Sequence, residues 1–189
     1  FGSGRAVEEL VALIKDADGD AAARRSAFAS LMRSPKPEHF AIVRSLINDK
    51  VLGLMVLLWL LSLALRNSSI VDIFWGTGFV IVARIVAALA ADAYPSRRLL
   101  LAALVTIWGL RLSLYILWRN WRKPEDFRYA KWREEAGPRW WWFSFFKVFL
   151  LQGILLWIIS APLVAGIASP RPTSLGVLEG LGVFVWAYG

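Results

Sequence analysis

The sequence has no cysteine and a single histidine. The first absence excludes disulfides, thiolate zinc sites, iron–sulfur clusters and a cysteine nucleophile. The second leaves His39 as the one imidazole that a Ser-His-Asp triad or a histidine metal site would need. It lies in the charged stretch Pro37-Glu38-His39, away from the apolar runs, where a solvated histidine at a helix start is the simpler reading. Also lacking are a glycine-rich phosphate loop, an HExxH pair, a CxxC pair and a nucleophile elbow. A soluble nucleotide-binding fold therefore has no signature here, and any enzyme built on this chain has to work from an intramembrane cavity. No signal peptide is visible behind Phe1, and Gly189 falls inside an apolar stretch, so the sequence reads as a fragment.

What is present is hydrocarbon. Of the 189 residues, 58% are hydrophobic, with 11 Trp and 11 Phe, against the roughly 45–50% apolar share of soluble domains. Mean hydropathy is positive. The net charge of +8 is unevenly spread: residues 1–50 carry 8 Lys/Arg against 7 Asp/Glu, and residues 51–189 carry 14 against 7. Basic charge beside apolar spans marks cytoplasmic loops, so nucleic acid is not the expected partner; the bilayer is.

The expected fold class is all-α: a multi-pass transmembrane bundle of about five spans behind a small soluble helical segment. In residues 1–50, Val7, Leu10, Val11 and Ile14 recur at helical spacing, Asp18 or Asp20 can cap a second helix through Leu31 and Met32, and Pro37 can open a third that runs to Ile47. This segment resembles one and a half units of a HEAT-like helical repeat; a simple helical lead-in fits equally, and a junction of unrelated halves near Lys50 stays open. The spans are expected at Val51–Leu65, Ile70–Ala91, Leu99–Trp118, Phe143–Ile167 and Leu175–Tyr188, with a turn at Pro170 and Pro172. The stretch 119–142 carries Arg119, Arg122, Lys123, Arg128, Lys131, Arg133 and Arg139. The positive-inside rule puts it in the cytoplasm and residues 1–50 on the outer face of an inner membrane.

Three charges sit within apolar runs: Asp72, Arg84 and Arg111. A charge at mid-bilayer costs about 2.5–3.5 kcal/mol on insertion scales, which favours a site or an internal partner. Asp72, Gly76 and Phe79 share a helix face, and Gly76 lets a ligand or another helix come close. Asp72 is readable as a cavity group or as a carboxylate at the helix start. Arg111 shares its surroundings with Trp108, Tyr115 and Arg119, a face suited to an anion or to orienting a carbonyl, or else it snorkels. Arg84 fits a pair with Asp92 or a snorkelling side chain. Further along, Glu125/Tyr129 and Tyr129/Arg133 are spaced for an amphipathic helix, and Trp140, Trp141 and Trp142 for an interfacial belt. Gln152, Gly153 and Ser160 read as helix contacts.

The segments SIVDIFWGTGFVIVA (69–83), LVTIWGLRLSLYILWRN (104–120), KPEDFRYAKWREEAG (123–137) and WWFSFFKVFLLQGILLWIISAPL (141–163) resemble the DUF1295 family, grouped with steroid 5-alpha-reductases. The resemblance covers residues 51–189 and leaves 1–50 outside. It implies a helical membrane oxidoreductase that delivers hydride from NADPH to the β carbon of a lipophilic enone. It also implies roles: Asp72 and Tyr115 catalytic; Arg111, Asn120, Glu125, Asp126, Arg128 and Tyr129 at the cofactor; Trp75, Gly76 and Trp108 around the substrate. The family's Arg-His-Pro-Asn-Tyr type motif does not occur in this sequence, so the fragment alone is expected to be inactive. The alternatives are a membrane methyltransferase of the isoprenylcysteine type and a non-catalytic membrane-anchored module whose residues 1–50 bind a protein partner. No metal is implied.

Overall fold

The computed structural model describes the backbone of residues 2–16, 18–32, 37–90, 93–170 and 174–189, and the side chains of 6–16, 18–28, 30–31, 50–90, 93–170 and 174–189. The expectations resting on Asp92, Pro172 and the His39 side chain lie outside these residues. Among them every regular element is helical.

Helices α1 (Gly2–Lys15) and α2 (Ala21–Met32) form a hairpin. Asp20 caps α2, its two carboxylate oxygens accepting from the Ala22 and Ala23 amides at 3.1 and 3.2 Å; Asp16 holds the turn by accepting from the amides of Asp18 and Gly19. Ile14, Phe28 and Leu31 are buried, and α2 packs on α4, so the hairpin shares the bundle's apolar core.

Helix α3 (Pro37–Leu65) is unbroken. The separate helix ending at Ile47 and the span beginning at Val51 are one element, because Asn48-Asp49-Lys50 contains no glycine or proline to stop the hydrogen-bond ladder. It ends in a Schellman turn: the Asn67 amide donates to the Ser62 carbonyl and the Arg66 amide to that of Leu63. Arg66 holds the left-handed position (φ 50°) normally given to glycine.

Helices α4 (Ile70–Leu89) and α5 (Pro95–Asn120) form the most extensive helix pair. At their crossing backbone meets backbone. A Cβ on Gly76 would overlap the Gly109 carbonyl, and one on Gly109 would sit 2.6 Å from Val80 Cγ2. The Thr77 amide donates to Ser113 Oγ at 2.9 Å, and the two hydroxyls lie 2.8 Å apart. Gly109 and Ser113 form a small-xxx-small pair, the usual device for bringing helices together where no hydrophobic effect drives them.

After α6 (Phe127–Ala136) and a 3₁₀ turn (Gly137–Arg139), the chain continues through α7 (Trp140–Ser144), a π-helical stretch (Phe145–Leu150), α8 (Leu151–Ile159) and α9 (Ala161–Ala168). The π stretch and α8 pack on α3, with Gly153 against Met55; α9 packs on α4 and α5. Helix α10 (Val177–Tyr188) buries none of its residues.

Three helical runs are long and apolar enough to cross a membrane: Ile70–Leu89, Pro95–Asn120 and Phe127–Ala168. The other two expected spans, Val51–Leu65 and Leu175–Tyr188, correspond to shorter apolar segments among the described residues: Lys50–Leu65, the apolar end of α3, and Val177–Tyr188.

Candidate functional site

The charges gather at one end of the bundle, where the turn between α3 and α4 meets the loop leading into α6. The backbone is strained on both sides, with Arg66 and Arg122 in left-handed conformations. Asp126 caps α6 by accepting from the Arg128 amide at 3.0 Å, while its own amide donates to Ser69 Oγ at 2.8 Å. Glu125 stands just outside the helix. Its oxygens take both arms of the Arg133 guanidinium, at 2.8 and 2.9 Å, and also accept from the Ser68 amide. The Arg133 guanidinium in turn lies 5.3 Å from the Trp140 ring centroid. Two segments 57 residues apart are thus sewn together by backbone and side chain alike.

Asp72 joins the same knot. It is no helix cap; the Ser69 N-cap has no side-chain cap bond, and Asp72 instead faces α6. The Tyr129 hydroxyl donates to Asp72 Oδ1 at 2.7 Å, and Arg128 Nη2 donates to Oδ2 at 3.3 Å while its Nε holds Asp126 at 2.9 Å. Tyr129 is buried, and Asp72 is about three-quarters covered, its side chain 24% exposed. A carboxyl and a phenol in this contact are a hydrogen-bonded acid pair at the end of an apolar bundle.

The Glu125 carboxyl is held below its ordinary value of 4.5: burial opposes ionisation, but the Arg133 hydrogen bonds and the Ser68 amide outweigh it. For Asp126 the Arg128 hydrogen bond leads, over a smaller burial effect, and also lowers the pKa. A carboxylate depressed in the folded state contributes stability that is complete above its unfolded value and lost as pH falls through the folded one. The thermal midpoint in micelles is therefore expected to hold from neutrality down to 4.5 and to drop below that. Glu125→Gln should remove the Glu125 share of this acid-dependent fall, and an unaltered profile would show that the Glu125 pair does not hold the loop.

The other expected site residues divide between two faces of α5. Arg111 and Tyr115 lie two residues from Gly109 or Ser113, about 200° round the helix from the α4 contact. Both are exposed; Tyr115 touches Trp118, and Arg111 makes no hydrogen bond or ion pair among the described residues. Asn120 falls on the inner side and lines a groove of about 240 Å³ with Ser69, Ile73, Lys123, Asp126 and Phe127; Asp72, Arg128 and Tyr129 do not line it. Trp75 and Trp108 each meet Phe79 edge-on, at 5.6 and 5.8 Å between centroids. With Gly76 against Gly109, this region is packed helix contact rather than open cavity. A cavity of about 320 Å³ lies instead between α3 and α8, lined by Val51, Leu52, Met55, Leu150, Gly153 and Ile154, and holds none of the expected site residues.

Arg84 is exposed. Of the tryptophan trio, Trp140 is buried under Arg133, leaving Trp141 and Trp142 exposed. Ser68, Ser69 and Arg133 complete the knot and were not among the expected site residues. Arg133 lies eight residues from Glu125, and the α6 cap falls between them, so helix spacing gives no sign of their pairing. No metal-binding group of three or more His, Cys, Asp or Glu occurs among the described residues.

Apolar helices of spanning length with charged groups gathered at one end define a helical membrane protein. Residues 58–189, more than half of the chain, match the family described as "Protein of unknown function (DUF1295)", and the chain belongs to that family. None of the curated proteins and none of the solved structures matches it.

Proposed function

We propose that this chain is part of a membrane oxidoreductase that reduces a C=C bond conjugated to a carbonyl in a lipophilic, steroid- or isoprenoid-like compound, with NADPH as reductant. The observation that carries the reading is the 2.7 Å contact between Tyr129 and Asp72 at the end of the spans. Reduction of an enone builds negative charge on the carbonyl oxygen, and a placed hydrogen-bond donor there stabilises the transition state. While Asp72 is ionised, the phenol hydrogen is committed to it. With Asp72 protonated, the carboxyl can donate to the phenol oxygen and the phenol hydrogen is free for substrate. The resemblance to steroid 5-alpha-reductases supports the same reading, and the expected cytoplasmic side of residues 119–142 would bring this end of the bundle to where NADPH is available.

The residues expected at the cofactor are not gathered round one pocket among the described residues. Glu125, Asp126 and Arg128 are engaged with Arg133, Ser68, Ser69, Asp72 and one another. Arg111 is on the far face of α5, and the groove beside Asn120, about 240 Å³, is smaller than the roughly 300–1,000 Å³ of ordinary ligand pockets. The share of the reaction assigned to this chain is accordingly the carbonyl end alone.

The test uses the full-length protein in membranes, supplied with NADPH and a panel of lipophilic enones. Tyr129→Phe is expected to cut turnover by about 10²-fold, the cost of one oxyanion donor, with the fold intact. Asp72→Asn, a permanent donor, should retain part of the activity and flatten its pH profile. Absence of enone reduction by the unaltered protein would end the reading, and full activity of Tyr129→Phe would remove Tyr129 from it. S-adenosylmethionine binding in place of NADPH would favour the methyltransferase alternative.

A second reading has its own support: every carboxylate of the knot is satisfied within the protein, as a purely structural clasp would be. In that case the chain is a membrane-anchored module with residues 1–50 available to a protein partner, and Asp72→Leu would leave its cellular role unchanged.

A further inference from the structure

Lys147 is an intramembrane cation that the proposed reaction does not use. It lies within the π-helical stretch, and its Nζ reaches back to sit 4.3 Å from the Trp132 ring centroid and 5.5 Å from that of Phe143. With Arg139 it lines a pocket of about 230 Å³ whose walls are Trp132, Ala136, Trp142 and Phe143. Neither cation forms an ion pair among the described residues; Glu135, a carboxylate that also lines the pocket, lies 4.0 Å from Lys131. Two cations against one carboxylate leave the pocket positive. Indole and phenyl walls fix the ammonium by cation–π attraction without neutralising it.

On the other side of Trp142 a second groove of about 250 Å³ begins, lined by Val56, Trp59, Trp142, Phe145 and Phe146. All five are apolar or aromatic, and the Trp59 indole N–H, which would otherwise be a polar intrusion, is taken by the Trp141 carbonyl at 2.8 Å. Val56 lies nine residues before the end of α3, about 14 Å of helix rise below it. A cationic pocket at the helix end, sharing one tryptophan wall with an apolar groove that runs towards the bilayer centre, matches a molecule with an anionic head and a hydrocarbon tail. Basic pockets between transmembrane helices recognise acidic lipid headgroups for this reason.

We infer that Arg139, Lys147 and Trp142 form a binding site for an anionic glycerophospholipid, the phosphate held by the two cations and one acyl chain lying along Trp59, Phe145 and Phe146. The assignment is independent of the proposed reductase activity, since neither cation belongs to the knot around Asp72.

The experiment is native mass spectrometry of the full chain in mild detergent, titrated separately with dioleoylphosphatidylglycerol, dioleoylphosphatidylcholine and inorganic phosphate. Phosphatidylglycerol is expected to bind, and phosphatidylcholine to bind about ten-fold more weakly, a difference of about 1.4 kcal/mol. The Arg139→Gln/Lys147→Gln pair should bring phosphatidylglycerol down to the phosphatidylcholine level, Arg139→Lys/Lys147→Arg should restore it, and Trp142→Ala should weaken both lipids. Arg139 is exposed, so Arg139→Gln alone gives the answer if the double variant does not fold. Equal binding of the two lipids, undiminished binding by a folded charge variant, or displacement of the lipid by inorganic phosphate would each overturn the assignment.

Discussion

Alanine at Gly76 or Gly109 is expected to produce the largest loss of stability of any single methyl group added to this bundle. Each glycine presents its backbone to the other's, and the added Cβ would occupy space already held by a carbonyl oxygen rather than by a side chain that can turn aside. Overpacking a well-filled interface costs about 1–3 kcal/mol, and a backbone obstacle places these positions at the upper end. The loss also breaks the neighbouring Thr77–Ser113 contact if the helices move apart. Denaturation in mixed micelles, or the thermal midpoint in one detergent, reads the effect. Gly53→Ala is the control: nothing lies within 4 Å of its Cβ position, so it should be neutral or slightly stabilising through helix propensity. Equal behaviour of all three would mean that α4 and α5 do not cross at the glycines.

The second large effect is expected at Glu125. Its side chain is 10% exposed and holds Arg133, itself 31% exposed, by two charge-assisted hydrogen bonds. Glu125→Ala leaves a largely covered guanidinium without its carboxylate and the Ser68 amide without its acceptor. Breaking a buried pair from one side costs about 3–5 kcal/mol, and partial solvent access at Arg133 sets the expectation near 3 kcal/mol. The Glu125→Leu/Arg133→Leu double variant should be more stable than Glu125→Ala, because no charge is left alone. If Glu125→Ala costs less than about 1 kcal/mol, the ion pair is behaving as a solvated surface pair and the knot is held elsewhere.

These two positions differ in how they could be read from the sequence. Apolar runs locate helices because a span's requirement is local: enough consecutive hydrocarbon to cross the bilayer. The ends of α4 and α5 accordingly fall within a few residues of the expected spans. The Gly109-x-x-x-Ser113 spacing was equally present, but its meaning depends on the glycine it meets 33 residues earlier. The knot is harder still. Glu125 and Tyr129, or Tyr129 and Arg133, are one turn apart if a helix runs through them all, but Asp126 caps α6 and puts Glu125 outside it. Tyr129 then turns inward to Asp72, and Arg133 reaches back over the cap to Glu125. Ser68 and Ser69 enter through a backbone amide and a hydroxyl, donors and acceptors that any serine carries and no pattern distinguishes. Trp140 is like its two neighbours by composition and differs from them in joining the buried core, with Arg133 over its ring.

The wide turn at Phe145–Leu150 sets the phase of the chain beyond it. A π-helical turn advances fewer degrees per residue than an α-helical one, so every side chain after it is rotated from where plain α winding would aim it. Lys147 lies inside this turn, and Gly153 follows within one further turn, seated against Met55 of α3. Rewinding these six residues as plain α-helix, with none removed, would turn Gly153 away from its present direction and bring bulkier neighbours against Met55. The cation over Trp132 and the seam between α3 and α8 are therefore geared together, and neither can change register without turning the other.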